Sequence, residues 1–247
     1  MDYRAAWAEQ ERAHAEVLAG GPERILLAEH PPVITFGRRD GNERNLIASE
    51  DELSKLGIDL VKSDRGGDIT FHGPGQIVAY PIIRLNSHRL SVGGYVHRLE
   101  DAVIALLTEL GITARKDPAA VGVWVESAGR PAKICAIGIR VSRGVSLHGL
   151  ALNVTTDLRY FDLIVPCGLA GKSVASLQTL LGEGKPQMNE IRDRLVAHLI
   201  AALDPVTAAY GMGGRDTFGH SLPSPGTPGE GQGGGQIGKG PRYTIEK

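Results

Sequence analysis

The sequence predicts an α+β fold, with helices and strands sharing a core but not alternating strictly along the chain. Three observations predict it. Val121–Val125, Ile134–Val141 and Val145–Val154 are successive apolar runs that read as strands with no helix between them. Val92, Val96, Leu99, Val103, Leu106 and Leu110 recur at helical spacing, which predicts one long amphipathic helix. The 247 residues, 42% of them hydrophobic, suffice for one large domain or two small ones. A doubly wound parallel sheet would instead alternate strand and helix.

The elements follow in order. Asp2–Leu18 reads as a helix closed by Gly20-Gly21-Pro22. Ile25–Ala28 and Val33–Phe36 read as short strands on either side of His30-Pro31-Pro32. Ser49 and Glu52 have capping-box spacing and start a helix that ends at Gly57. Ile58–Lys62 is a strand, Arg65–Gly75 a polar glycine-rich loop, and Ile77–Ile83 a strand. The long helix follows and stops at Gly111, then the three strands, then a last helix over Met188–Leu203. After Tyr210 the composition changes: 12 of the 33 glycines lie between Gly211 and Gly240, mixed with proline and serine. Such a segment buries too little apolar surface to offset its ordering entropy. The expected organisation is a domain over residues 1–210 and a Gly/Pro-rich, disordered tail over 211–247.

Composition excludes several classes. Lys and Arg number 27 against 28 Asp and Glu, a net charge of −1, and no long basic run stands out. No nucleic-acid partner is expected. The apolar runs are too short to span a membrane, so no membrane partner is expected either. Cys135 and Cys167 cannot build a disulfide framework, and Met1–Gly20 carries Asp2, Glu9, Glu11 and Glu16, unlike a transit peptide. The expected compartment is the reducing cytoplasm, where a free thiol stays available.

Four stretches carry candidate chemistry. Arg65-Gly66-Gly67-Asp68-Ile69-Thr70-Phe71-His72-Gly73-Pro74-Gly75-Gln76 has four glycines that let backbone approach a ligand, without the spacing of a P-loop or dinucleotide fingerprint. It reads either as a binding loop or as a tight connection between strands. His72 and His148 each read as a general base, a metal ligand or a hydrogen-bonded structural histidine. No His/Cys pair has the short spacing of common zinc sites, so no metal is expected. Cys167, between Pro166 and Gly168, reads as a nucleophile on an exposed turn or as a buried inert thiol. Cys135 lies mid-strand, where the inert reading is stronger. Lys133 opens the run Lys-Ile-Cys-Ala-Ile-Gly-Ile-Arg. A lysine there is ordinarily a solvated strand end; beside a thiol it stabilises thiolate or takes its proton.

Taken together, these stretches resemble the lipoyl(octanoyl) transferase family. Glu29–Val33 through Gly37-Arg38 looks like its early pair of strands, and Arg65–Tyr80 like its signature loop. Gly122-Val123-Trp124-Val125 with Lys133–Arg140 looks like its lysine-bearing region, and His148–Asn153 and Pro166-Cys167-Gly168 like two further blocks. The resemblance covers roughly residues 1 to 203.

The resemblance implies a biotin/lipoate protein ligase-like domain, a mixed sheet flanked by helices. It implies an acyltransferase that moves octanoyl from acyl carrier protein to a lysine of a lipoyl domain, with no cofactor. The acceptors would be the lipoyl domains of 2-oxoacid dehydrogenase complexes and the glycine cleavage H protein. It implies catalysis by a thioester on Cys167 with Lys133 lowering that thiol's pKa. Substrate contacts would fall on Arg65, Gly66, Gly67, Asp68, Ile69, Thr70, Phe71 and His72, on Ala136, Ile137 and Gly138, and on Gly149, Leu150 and Ala151. Backbone N–H groups near Gly73–Gly75 or Cys167-Gly168 are candidates to hold the oxyanion. Arg38-Arg39, Arg84 with Arg89, and Arg140 with Arg143 are candidate contacts for an acidic carrier. The competing activities are an ATP-dependent lipoate ligase, a cysteine hydrolase and a non-catalytic acyl-binding protein.

Overall fold

The structure, a computed structural model, describes residues 1–165, 173–182, 187–204 and 243–246. Helix α1 (Tyr3–Leu18) starts where the Asp2 carboxylate accepts the Ala5 N–H at 3.0 Å, satisfying one of the unpaired N–H groups of the first turn. Strands β1 (Arg24–Ala28) and β2 (Val33–Phe36) follow. Helix α2 (Glu50–Lys55) is capped by Ser49 and leads to β3 (Asp59–Lys62), β4 (Thr70–His72) and β5 (Gln76–Ile82). Helix α3 (Val92–Glu109) precedes β6 (Ala114–Lys116), β7 (Val123–Ser127), β8 (Arg130–Ser142) and β9 (Val145–Asn153). The described remainder is β10 (Ser173–Val174), α4 (Leu177–Leu181), α5 (Met188–Leu203) and β11 (Thr244–Glu246).

Among the described residues the strands form two sheets. The larger runs β11-β1-β5-β9-β8-β7-β6, with β10 paired to β8; the smaller runs β3-β2-β4. Pairing is mixed: β1 is antiparallel to β5 and parallel to β11, and β2 is parallel to β3 and antiparallel to β4. The strands flanking His30-Pro31-Pro32 therefore do not pair with each other. That corner carries the chain from one sheet to the other.

Both faces of the large sheet are covered, and the period-two alternation of each strand says by what. Ile25, Leu27, Ile77, Ala79, Leu150 and Leu152 join a core with Leu99, Leu106 and Val103 of α3 and Leu195 and Leu199 of α5. Their neighbours Leu26, Val78, Tyr80 and Ala151 face Ala6, Ala13 and Val17 of α1 instead. Each large apolar side chain fully removed from water there contributes about 1.5–3 kcal/mol. The small sheet has its own core, where Ile34, Phe36, Ile69 and Phe71 meet Leu53, Phe161 and Ile164.

Three findings correct the sequence reading. Thr70–His72 is a strand inside the stretch read as loop. Thr244–Glu246 pairs with β1, so for these residues the expectation of a disordered tail does not hold; 205–242 and Lys247 lie outside the described residues. Arg84 is not a free surface arginine: its guanidinium donates to the Val17 carbonyl and, at 3.4 Å, to that of Gly21, satisfying the end of α1.

Candidate active site

A cavity of about 500 Å3 is walled by the start of α1, by β4, by the middle of β5, β8 and β9, and by Val96 of α3. Val78, Ala136, Ile137, Leu150 and Ala151 give it apolar lining from the large sheet, and Arg65–Thr70 lines it from the small one. The glycines set how closely these parts approach. Gly66 donates its N–H to the Ile139 carbonyl at 2.8 Å, and a Cβ on Gly138 would lie 2.8 Å from the Gly66 carbonyl oxygen. The loop thus rests directly on β8, and any side chain at residue 138 would lift it.

Arg65 is buried and tied down: Nη2 donates to the Thr35 carbonyl at 2.7 Å and to Thr35 Oγ1 at 2.9 Å. Asp68 accepts from the Ile69 N–H at 2.7 Å, from Asn45 Nδ2 at 2.9 Å and from Arg39 at 3.3 Å. Arg140 pairs with Asp64, whose other oxygen meets His148 Nε2 at 2.7 Å. His148 has a φ of +57, unusual for a non-glycine strand residue, and gives its N–H to Gln10 Oε1 at 2.8 Å. Burial pulls its pKa down, partly opposed by Asp64.

Lys133 reaches the cavity through a break in the alternation of β8: the register with β7 skips Ile134, and Cys135, of the same parity as Lys133, joins the core. Ala132 and Ile134 face α3 and α5, whereas Lys133 lines the cavity. Its Nζ donates to the Val121 carbonyl at 3.0 Å and lies 4.9 Å from the centre of the Trp124 ring. Cys135, two residues on, is fully buried, and burial pushes its thiol up to about 12. A thiol held that far above neutrality supplies almost no thiolate.

His72 has a defined tautomer. Asn153 Nδ2 donates to the Ala175 carbonyl at 3.0 Å, which points Asn153 Oδ1 at Gln76 Nε2, 2.9 Å away. Gln76 Oε1 is thereby left facing His72 Nδ1 at 2.7 Å, so Nδ1 carries the proton and Nε2 is an acceptor. Burial, with the nearby His30 and Arg65, lowers the His72 pKa to about 3. His72 is therefore a neutral acceptor in the cavity wall and not an acid. Tyr3 stacks on its ring at 5.7 Å, and His30 meets Tyr80 Oη at 2.7 Å behind it.

Of the expected contact residues, the cavity brings together Arg65, Gly66, Gly67, Asp68, Ile69, Thr70 and His72 with Ala136, Ile137, Gly138, Gly149, Leu150 and Ala151, and it adds Lys133. Phe71 is not among them. It is buried in the small-sheet core, stacked on Tyr160 at 4.7 Å and edge-on to Phe161 at 5.6 Å. Of the oxyanion candidates, the Gly75 N–H is already taken by Glu29 Oε1 at 2.7 Å.

Residues 2–200 match the model of the lipoyl protein ligase A/B catalytic domain. The chain belongs to this family. It is 47% identical to an octanoyltransferase of Roseiflexus sp. (strain RS-1), over 88% of this chain and 90% of that one. It is also 47% identical to an octanoyltransferase of Bacteroides fragilis, over 82% and 94%. The lipoate-protein ligase A structure solved with ATP superposes with a TM-score of 0.62 at 19% identity, covering 78% of this chain and 79% of that one. A bipartite lipoate protein ligase of Thermoplasma acidophilum gives 0.62 at 18% identity, with 79% of each chain covered. The two structures share the α+β fold of the lipoyl protein ligase family, a mixed sheet flanked by helices.

Cys167 lies outside the described residues of this family member. The ends of its segment are described. Val165 donates its N–H to Asn45, which holds the cavity residue Asp68. Ser173-Val174 pairs with Ala132-Lys133. Sequence reasoning missed Tyr3, Val78, Tyr80, Val96, Ala119–Val121 and Ile139 in the lining, and it named Arg39 only as a carrier contact. Most are small or apolar residues that only the fold brings together. Among the described residues no group of three or more His, Cys, Asp or Glu side chains is arranged to hold a metal ion, and no helix is long and apolar enough to cross a membrane.

Proposed function

We propose that this chain is an octanoyltransferase of protein lipoylation, moving an octanoyl group from acyl carrier protein to a lipoyl-domain lysine through a thioester on Cys167. The supporting observation is Lys133 in the wall of a partly apolar cavity lined by the Arg65–Thr70 loop, in a chain 47% identical to proteins named octanoyltransferase. The first step is attack of the Cys167 thiolate on the acyl carbonyl, with the thiol proton passing toward Lys133. The bond to the carrier's sulfur breaks, and that sulfur leaves as a thiol. The acceptor lysine then attacks the new thioester, the C–S bond breaks, and an amide and a free Cys167 thiol result. The first exchange is nearly isoenergetic and the second is downhill, so neither nucleotide nor metal is called for. An eight-carbon chain suits apolar lining, at about 0.8 kcal/mol per buried CH₂.

The expected contact residues, Phe71 excepted, take substrate roles in this reading. Phe71 instead supports β4. The acceptors are lipoyl domains of 2-oxoacid dehydrogenase complexes and the glycine cleavage H protein, and a reducing cytoplasm suits the free thiol. Intact mass measured after mixing with octanoyl carrier protein, without ATP, tests the reading. An octanoyl adduct lost in Cys167→Ser is expected. An adduct that maps to Cys135, or acyl transfer that requires ATP, overturns it.

A further inference from the structure

Glu100 is a charged residue where none is expected. It sits in the buried stripe of α3, four residues after Val96 and three before Val103, and only 3% of it is exposed. A carboxylate so placed must be hydrogen-bonded. Its Oε1 accepts the backbone N–H of Gly122 at 3.1 Å, and its Oε2 meets His97 Nδ1, one turn earlier, at 2.9 Å.

The first contact bears on Lys133. The N–H that Glu100 holds and the carbonyl that Lys133 Nζ donates to belong to one peptide group, Val121–Gly122. In a planar trans peptide these two groups point in opposite directions. Fixing the N–H on Glu100 therefore fixes the direction of the carbonyl, and with it a seat for Nζ. A carboxylate accepting the N–H also polarises the peptide and makes its carbonyl a better acceptor. Gly122 fits this seat alone: its φ is +128, and a Cβ there would lie 2.5 Å from the Cys135 carbonyl oxygen and 3.3 Å from Lys133 Cε. The loop is pinned a second time where Trp124 Nε1 donates to the Ala120 carbonyl at 2.8 Å.

We propose that Glu100 is the positioning residue for Lys133, acting through the Val121–Gly122 peptide. The inference rests on the reading of Lys133 as a participant in acyl transfer. Glu100→Gln keeps an oxygen for the Gly122 N–H, Glu100→Ala removes it, and Glu100→Leu fills the space while accepting nothing. The experiment measures adduct formation at saturating and limiting octanoyl carrier protein, with mass-spectrometric mapping of lysine reductive methylation. Glu100→Ala and Glu100→Leu are expected to lower kcat about 10- to 100-fold, with KM little changed, because a misplacement of ~1 Å is costly at a reacting group. Lys133 should be methylated faster in both, while Glu100→Gln recovers most of the rate and the protection. Combined with Lys133→Ala, Glu100→Ala should cost nothing further, since both act on one unit. Should the alanine variant fail to fold, the leucine variant gives the same comparison. If Lys133→Ala is impaired but Glu100→Leu keeps wild-type kcat and labelling, the positioning role is overturned and the transferase reading stands. If Lys133→Ala itself forms adduct at the wild-type rate, the premise fails instead.

Discussion

His72 and His88 are both buried, and they differ in what burial is made to do. His72, in the cavity wall, faces a neutral amide, and burial lowers its pKa to about 3. His88 lies in the 3-10 turn Leu85–His88, beside β1 and the end of α5. Burial lowers its pKa too, but the hydrogen bond and charge of Glu23 outweigh it, and the net shift is upward. Its Nε2 meets Glu23 Oε2 at 2.7 Å, and its Nδ1 donates to the Leu203 carbonyl at 2.6 Å. Glu23 Oε1 accepts the Arg84 N–H at 2.7 Å as well. One region thus keeps a neutral acceptor at a cavity, while the other joins three chain segments through one buried ion pair and the hydrogen bonds around it. The difference is one carboxylate.

Removing that carboxylate should have the largest effect. Glu23→Ala leaves His88 and the Arg84 N–H buried without their acceptor, a change expected to cost about 3–5 kcal/mol. Chemical denaturation would measure it. Acyl transfer per folded molecule should be unchanged, since Glu23 is absent from the cavity lining. A stable variant with impaired transfer would break the division between the regions.

Acid sharpens the same contrast, because the two histidines give opposite slopes. His88, with its folded pKa raised, contributes stability that is fully present below the unfolded value near 6.5 and is lost as pH rises through the folded pKa. His72, with its folded pKa lowered, opposes folding once the unfolded chain begins to bind a proton. From pH 6.5 to pH 5 that costs about 2 kcal/mol, and the cost levels off near pH 3. Stability measured from pH 4 to 9 should therefore fall less on acidification in His72→Gln than in wild type. Parallel curves would mean that His72 is solvated enough to be protonated in the folded state.

The sequence makes long periodic elements legible and short ones not. Strands β5, β8 and β9 are apolar runs long enough to be read as strands, and helix α3 shows enough repeats for its period to emerge. Thr70–His72 shows none in three residues, and the consequence reached the candidate site. Had that strand been recognised, alternation would have turned Phe71 away from Thr70 and His72 and toward the small-sheet core. The split at His30-Pro31-Pro32 depends on which strands pair, and local pattern does not carry that. Glu100 did leave a signal, a charge at a position that helical spacing assigns to the buried face.

The smallest expected effect concerns β11, at the outer edge of the His88 region. Arg24 of β1 pairs with both Glu16 and Glu246, and Thr244 donates its N–H to the Glu23 carbonyl at 3.0 Å. Tyr243 stacks on His88 at 6.1 Å. Little apolar surface is at stake, since Ile245 remains 43% exposed, and Arg24 keeps Glu16 when Glu246 is gone. Deleting Tyr243–Lys247 should thus cost on the order of 1 kcal/mol, a fall in Tm of about 2–4 °C for a domain of this size. Transfer should be unaffected. The informative part is the pH profile. Tyr243 covers the ring of His88, so its removal relieves part of the burial that depresses His88, the largest influence on that group. The folded pKa should rise further, and the stability lost above pH 6.5 should extend to higher pH than in the full chain, while the acid limb set by His72 stays where it was. Equal Tm and superimposable profiles would mean that β11 does not pair with β1 in solution, and a change confined to the acid limb would mean that the two histidine regions are coupled.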